Sequence, residues 1–171
     1  MLIRQETSKD YAAVYKLLKE AFASAKHKDG NEQDLVVALR NGDAFVPQLS
    51  LVAEVKGRIA GYILFTKAKV GDATVLVLAP LAVLPGFQKQ GIGTALIQRG
   101  HQIAQELGYA YALVLGSETY YPRFGYRPAE ELGVKPPAGI PKENFLAIQL
   151  CSDAAPLHGS IVYAKEFGIE S

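Results

Sequence analysis

The chain opens with L-I-R-Q, Leu2–Gln5, whose apolar start and polar end suit a short strand. Thr7 and Asp10, three residues apart, have the form of a capping box. Val14, Leu17, Leu18, Ala21 and Phe22 then recur at the spacing of one helix face. Residues 23 to 30 are polar and loop-like, and Leu35, Val36 and Leu39, capped near Asn31 and stopped by Gly42, predict a second short helix. From Leu49 the texture changes. L-S-L-V-A-E-V, I-A-G-Y-I-L-F-T-K-A-K-V and A-T-V-L-V-L-A-P-L-A-V-L are apolar runs separated by the turns K-G-R and G-D, which predict three strands in an antiparallel meander.

Helical spacing returns over residues 94 to 107, where Leu96, Ile97, Gly100, Ile103, Ala104 and Leu107 share a face and Gly108 stands ready to end the helix. Tyr111–Leu115 predicts another strand. A strand, a helix and a strand in succession make residues 75 to 84 and 111 to 115 parallel neighbours through a crossover. A short helical stretch (118 to 124), a Pro/Gly-rich loop (133 to 141) and two strands (145 to 150 and 160 to 164) complete the pattern. It describes a mixed α/β fold in which a mostly antiparallel sheet holds a central parallel pair and is flanked by helices. No repeat or linker interrupts it, so residues 1–171 read as a single domain.

Composition narrows the setting. A chain of 171 residues with 49% hydrophobic and 20% charged content is an ordinary globular sequence. The net charge of +1 does not suit a surface that coats a polyanion, so no nucleic-acid partner is expected. The longest apolar run, 75 to 84, contains Pro80 and is too short to span a bilayer, so no membrane partner is expected either. The N-terminus lacks the charged start and long apolar core of a signal peptide, and a single cysteine, Cys151, cannot form an internal disulfide. A cytoplasmic protein is the expectation. Whether the chain pairs as a homodimer is left open.

Candidate chemistry concentrates at P-G-F-Q-K-Q-G-I-G-T-A, residues 85 to 95, at the junction of an apolar strand and a helix. The first turn of a helix has amide groups without intrahelical partners and roughly half a positive charge, so it suits phosphate. Gly91 and Gly93 clear side chains from such an approach, and neutral Gln88 and Gln90 add donors without repelling an anion. A pyrophosphate cradle and a plain tight strand-to-helix turn both fit the glycines alone. A triphosphate loop is excluded because Gly-Lys-Ser/Thr is missing, and a dinucleotide fingerprint because the third glycine and the preceding parallel strand are missing. Pro80 lacks an N–H for the ladder and marks an edge or a bulge, where the strand splays. The backbone from Leu81 to Val83 is then free to pair with an extended amide-containing ligand such as pantetheine.

Q-K-Q-G-I-G resembles the Q/R-x-x-G-x-G/A signature of the GNAT superfamily of N-acetyltransferases, and P-L-A-V-L-P before it resembles the strand that grips coenzyme A. Together with V-L-G-S-E-T-Y-Y-P-R-F-G-Y-R-P-A, the stretch is similar to a YhbS-like subgroup of that superfamily, and the order of elements agrees over nearly the whole chain. The resemblance implies that backbone amides of Gln88, Lys89, Gln90, Gly91, Ile92, Gly93 and Thr94 surround the pyrophosphate of acetyl-CoA, and that Leu81, Ala82 and Val83 pair with its pantetheine arm. It also implies a contact from Ser117 to that arm. Tyr121 matches the tyrosine of the family's Y-x-x-x-G-F pattern, which acts as general acid toward the departing thiolate. Tyr120 beside it leaves the choice between the two open, because adjacent helical residues point about 100° apart.

The general base departs from the pattern, since residues 73 to 84 contain nothing ionisable. Glu54, Glu118, Asp29 and Glu32 are acceptors through water or plain surface carboxylates, and no base is assigned. His27, His101 and His158 lack metal-ligand spacing, so no metal is expected. Cys151 reads as a packed small residue and not a nucleophile. Two functions remain: an acetyl-CoA-dependent N-acetyltransferase acting on a primary amine of a small molecule or protein by direct attack in a ternary complex, or a non-catalytic acyl-CoA-binding sensor or interaction module.

Overall fold

The computed structural model describes residues 1–23 and 31–168. Its elements are β1 (Leu2–Gln5), α1 (Tyr11–Phe22), α2 (Glu32–Arg40), β2 (Phe45–Val55), β3 (Arg58–Val70), β4 (Ala73–Val83), α3 (Ile92–Glu106), β5 (Tyr111–Leu115), β6 (Arg127–Pro128), β7 (Val134–Lys135), β8 (Phe145–Gln149) and β9 (Gly159–Val162). The mixed α/β order agrees with the spacing of apolar residues. The differences are local. β2 begins at Phe45, ahead of the expected Leu49. The short helix expected over 118 to 124 is a 3-10 turn, Tyr121–Phe124, and the expected loop from 133 contains β7. Most of the expected loop 23 to 30 lies outside the described residues.

The chain divides into two compact units, Met1–Phe65 with Ala79–Ile103, and Thr66–Leu78 with Ala104–Ser171. In the first, β1 runs antiparallel to β2, from Leu2 opposite Glu54 to Gln5 opposite Leu51. Lys56 and Gly57 both take positive φ, 52° and 78°, which is the geometry a two-residue turn needs to fold β3 back along β2. The apolar faces of α1 and α2 contribute Val14, Leu17, Leu18, Val36 and Leu39 to the core, with Leu51, Val52 and Ile63 from the strands. α3 lies close on β3 because two glycines allow it: a Cβ at Gly61 would stand 2.7 Å from Ile92 Cγ2, and one at Gly100 would collide with the Phe65 ring.

Polar groups fasten this unit as well. The expected capping box forms, with Thr7 N–H donating to Asp10 Oδ2 at 2.7 Å. The hydrogen-bonded Arg4 guanidinium holds Asp10's carboxyl down to about 2. Deeper in, Arg40 donates twice to Glu6, at 2.9 Å each, and Ser50 Oγ links Glu6 to the Tyr62 hydroxyl. Burying that ion pair is tolerable because each charge finds its partner and further hydrogen bonds. The link holds β1, α2, β2 and β3 in place, and nothing in the spacing of apolar residues announced it.

In the second unit β4 pairs parallel with β5, Leu76 opposite Ala112 and Val77 opposite Leu113, as the strand-helix-strand order predicts. β5 continues antiparallel to β8 from Tyr111 opposite Gln149 to Leu115 opposite Phe145. β6 adds to β8, while β9 pairs antiparallel with β3 and parallel with β7. Among the described residues no helix is long and apolar enough to cross a membrane.

The parallel ladder is two pairs long, and Pro80, joined to Ala79 by a cis peptide, follows three residues after its last pair. A count along the two strands indicates a bulge. Leu84 N–H donates to Ala60 O at 2.9 Å. From Val70 back to Ala60 is ten residues, whereas from Ala73 forward to Leu84 is eleven, so β4 carries one residue more than β3 between the two-residue turn and that bond. An extra residue on one strand is a β-bulge.

Candidate active site

The junction after β4 is built from a tight turn and two unusual backbone angles. Pro85–Phe87 forms a 3-10 turn, closed by Phe87 N–H donating to Leu84 O at 2.8 Å. Lys89 then takes φ +63° and Gly91 φ +84°. Left-handed residues alternating with ordinary ones turn successive N–H groups toward a common point, which makes a concave anion-binding nest. The first donor into α3 is Ala95 N–H, to Gly91 O at 3.0 Å. Among the described residues the amides of Gln88, Lys89, Gln90, Gly91, Ile92, Gly93 and Thr94 have no protein acceptor. Gln88, Lys89, Gln90 and Gly91 are exposed, so these donors are open to a ligand, at the positive end of a 15-residue helix.

The structure refines the role of each side chain here. A Cβ on Gly91 would meet nothing within 4 Å, so the glycine serves the left-handed angle and not protein packing. Gln88, expected to face the anion, donates its side-chain amide to Val83 O at 3.2 Å and braces the turn. Lys89 is the non-glycine residue that accepts a strained angle in the nest, and residue spacing carries no sign of that.

Hydrogen-bond direction sorts the backbone of β4. Leu84 N–H points at β3, and along an antiparallel strand donors alternate sides, so Ala82 also faces β3 while Leu81 and Val83 face the opposite edge. Those two residues are half-buried and Ala82 is buried. The edge that Leu81 and Val83 present is the one expected to receive pantetheine.

In the second unit, β5 ends at Leu115, which is 48% exposed, and the chain turns at Gly116. Ser117 Oγ accepts from Thr119 N–H at 3.1 Å and Tyr120 N–H at 3.2 Å, and so caps the turn that carries both tyrosines. Tyr121 N–H donates to Ser117 O at 3.3 Å. The rings part company. Tyr120 packs edge-on to Phe124 at 5.3 Å, beneath the Arg123 guanidinium at 4.5 Å. Tyr121 lies against Gly116 and edge-on to Tyr126 at 5.7 Å, and the two neighbouring rings are 87° apart. Burial, with Tyr120's phenol adding to it, pushes Tyr121's phenol well above the usual tyrosine value. Any ordinary phenol is protonated at neutral pH, so the upward shift adds nothing to that. The hydroxyl has no competing protein acceptor among the described residues, and this is what leaves a proton to offer a ligand atom.

The carboxylates considered as bases have other partners or lie elsewhere. Glu54 stands 3.5 Å from Arg4, and Glu118 accepts from Asn144 Nδ2 at 2.7 Å. Glu32 opens α2, and Asp29 is outside the described residues. Cys151 is half-buried with its thiol 3.5 Å from Tyr109 O, as a packed residue would be. Sequence reasoning missed Gly116 and Asn144. The only local signal was a glycine directly after a strand.

Residues 11–126, more than half of the chain, match the acetyltransferase (GNAT) family, and the chain belongs to that family of N-acetyltransferases. It is 40% identical over 118 residues to the uncharacterized N-acetyltransferase YjhQ of Escherichia coli (strain K12), across 66% of this chain and 65% of that protein. It is 33% identical over 131 residues to the uncharacterized N-acetyltransferase YhbS of the same strain, across 75% of each. The crystal structure of YhbS from Escherichia coli in complex with CoA superposes with a TM-score of 0.88 at 28% identity, covering 99% of this chain and 93% of that one. A GNAT family acetyltransferase from Brucella melitensis in complex with acetyl-CoA gives 0.81 at 30% identity, covering 97% of each.

Proposed function

We propose that this protein uses acetyl-CoA to acetylate a primary amine of a small molecule or protein, by direct attack in a ternary complex, with residues 1–171 working as one domain. The observation that carries the proposal is the run of unpartnered amides from Gln88 to Thr94, shaped by the positive φ of Lys89 and Gly91 at the start of α3. Such a nest suits a pyrophosphate, and YhbS and the Brucella melitensis protein, crystallised with CoA and acetyl-CoA, support that choice of anion. Leu81 and Val83 supply the outward-facing backbone for the pantetheine amides. Ser117 reaches that arm while it caps its own turn.

In the reaction the amine lone pair attacks the thioester carbonyl carbon and forms the C–N bond. The intermediate collapses with cleavage of the C–S bond, and the sulfur leaves with the bonding electrons. Tyr121 donates its phenolic proton to that thiolate, and solvent later restores it. The proton released by the attacking nitrogen passes to water, with no carboxylate assigned as its acceptor. What supports the donor role is the hydroxyl's lack of a protein partner among the described residues. The single cysteine is consistent with a cytoplasmic location.

Thiol release from acetyl-CoA across a panel of amines, polyamines, aminoglycosides and peptide N-termini, beside direct binding of acetyl-CoA, tests the proposal. Amine-dependent release supports it. Binding without release on any amine would replace it with a non-catalytic acyl-CoA-binding module, and absence of binding would overturn both.

A further inference from the structure

We propose that Gly116 and Asn144 are positioning residues for Tyr121, an inference that rests on the assignment of Tyr121 as the proton donor. β5 and β8 pair as far as Leu115 opposite Phe145, and Gly116 and Asn144 form the next step outward. Gly116 N–H donates to Asn144 O at 2.9 Å. The reciprocal backbone bond is missing, because Asn144 N–H turns back to Pro141 O at 3.0 Å. Asn144's own side chain fills the gap: Nδ2 donates to Gly116 O at 3.1 Å and to Glu118 Oε2 at 2.7 Å. One residue, 28 positions away in the chain, therefore holds both backbone groups of Gly116 and the side chain two residues beyond it.

What this clamp holds is the seat of the Tyr121 ring. A Cβ at position 116 would stand 2.5 Å from Tyr121 Cε2 and 3.0 Å from Cδ2. Aromatic ring atoms cannot yield as the tip of a flexible side chain does. The ring is also bounded by Tyr120 at 5.1 Å and Tyr126 at 5.7 Å, so it has little room to rotate away. The empty face of Gly116 therefore fixes where the phenol points, and the Asn144 clamp fixes Gly116. A proton donor must come within hydrogen-bond reach of the leaving atom, and a displacement of about 1 Å costs on the order of a hundredfold in rate.

The test is kcat and KM of the full-length enzyme at saturating amine for Gly116→Ala, Asn144→Ala and Tyr121→Phe, and for each of the first two combined with Tyr121→Phe. Gly116→Ala and Asn144→Ala should lower kcat by roughly tenfold to a hundredfold while KM for acetyl-CoA changes less than about threefold. In the Tyr121→Phe background the same changes should cost almost nothing further, because the group they position no longer donates a proton. If Gly116→Ala fails to fold, Asn144→Ala carries the comparison. Equal losses in both backgrounds would overturn the positioning role and leave Tyr121 as the donor. Full activity of Tyr121→Phe alone would overturn the donor assignment and this inference with it.

Discussion

Gly91→Ala separates the two demands that the nest makes on one residue. Gly91 stands at φ +84° with nothing within 4 Å of the place a methyl would occupy, so alanine meets no steric collision inside the protein and bears only the left-handed angle. That angle costs an L-residue about 1–2 kcal/mol, and in a chain of this size 1 kcal/mol lowers Tm by roughly 2–4 °C. Gly108 has φ +90° and equally open space beyond the other end of α3, so Gly108→Ala should lose a similar amount of stability. Gly86 has open space and no positive φ, so Gly86→Ala should stay within about 0.5 kcal/mol of the parent. Ligand binding should distinguish the three. A new methyl in the nest blocks approach to at least one amide, and a hydrogen bond to a charged group contributes about 1.5–3 kcal/mol, which is roughly tenfold to a hundredfold in Kd. Calorimetry with acetyl-CoA should show that loss for Gly91→Ala, near-parent affinity for Gly86→Ala and Gly108→Ala, and weak, nearly equal binding of acetyl-pantetheine by all of them. Parent affinity for acetyl-CoA in Gly91→Ala, or an equal loss for acetyl-pantetheine, would refute the assignment of the phosphates to this turn.

Tyr121→Phe should lower turnover by roughly a hundredfold to ten-thousandfold at nearly constant acetyl-CoA affinity, while Tyr120→Phe, whose ring packs on Phe124, keeps most activity. Thiol release at saturating acetyl-CoA checks both, and similar behaviour of the two variants would contradict the placement of the acid. The amides of Leu81 and Val83, facing away from β3, should gain hydrogen-exchange protection when CoA is added; unchanged exchange at both would mean that the ligand does not pair with this edge. Burial lowers the His101 pKa to about 4 from an unfolded value near 6.5, so between those values the unfolded chain binds more protons. Stability should therefore fall as pH drops from about 6.5 to 4, by about 2 kcal/mol once the ring's remaining exposure is allowed for, and urea melts of His101→Gln should show a shallower fall over the same window.

What the sequence determined by itself was everything that depends on near neighbours in the chain. The capping box at Thr7 and Asp10, the turn at Lys56 and Gly57 and the strand Tyr111–Leu115 follow from side-chain periodicity and glycine angles, all local properties. The glycines between Gln88 and Thr94 were legible for the same reason, since a strand running into a helix start needs no distant partner to expose its amides. Tertiary structure decided the rest. β6 and β7, two residues each, are too short for periodicity to mark them, and they exist through pairing with β8 and β9. Lys89's left-handed angle is set by closure of the turn around it, against its own preference. The Arg40–Glu6–Ser50–Tyr62 link joins residues up to 44 positions apart, and Asn144 reaches Gly116 across 28. Which tyrosine sits on the end of β5 was ambiguous in Y-Y because both carry the same chemistry. The empty face of Gly116 gives that seat to Tyr121, and a contact made by the absence of a side chain leaves no pattern in the sequence to read.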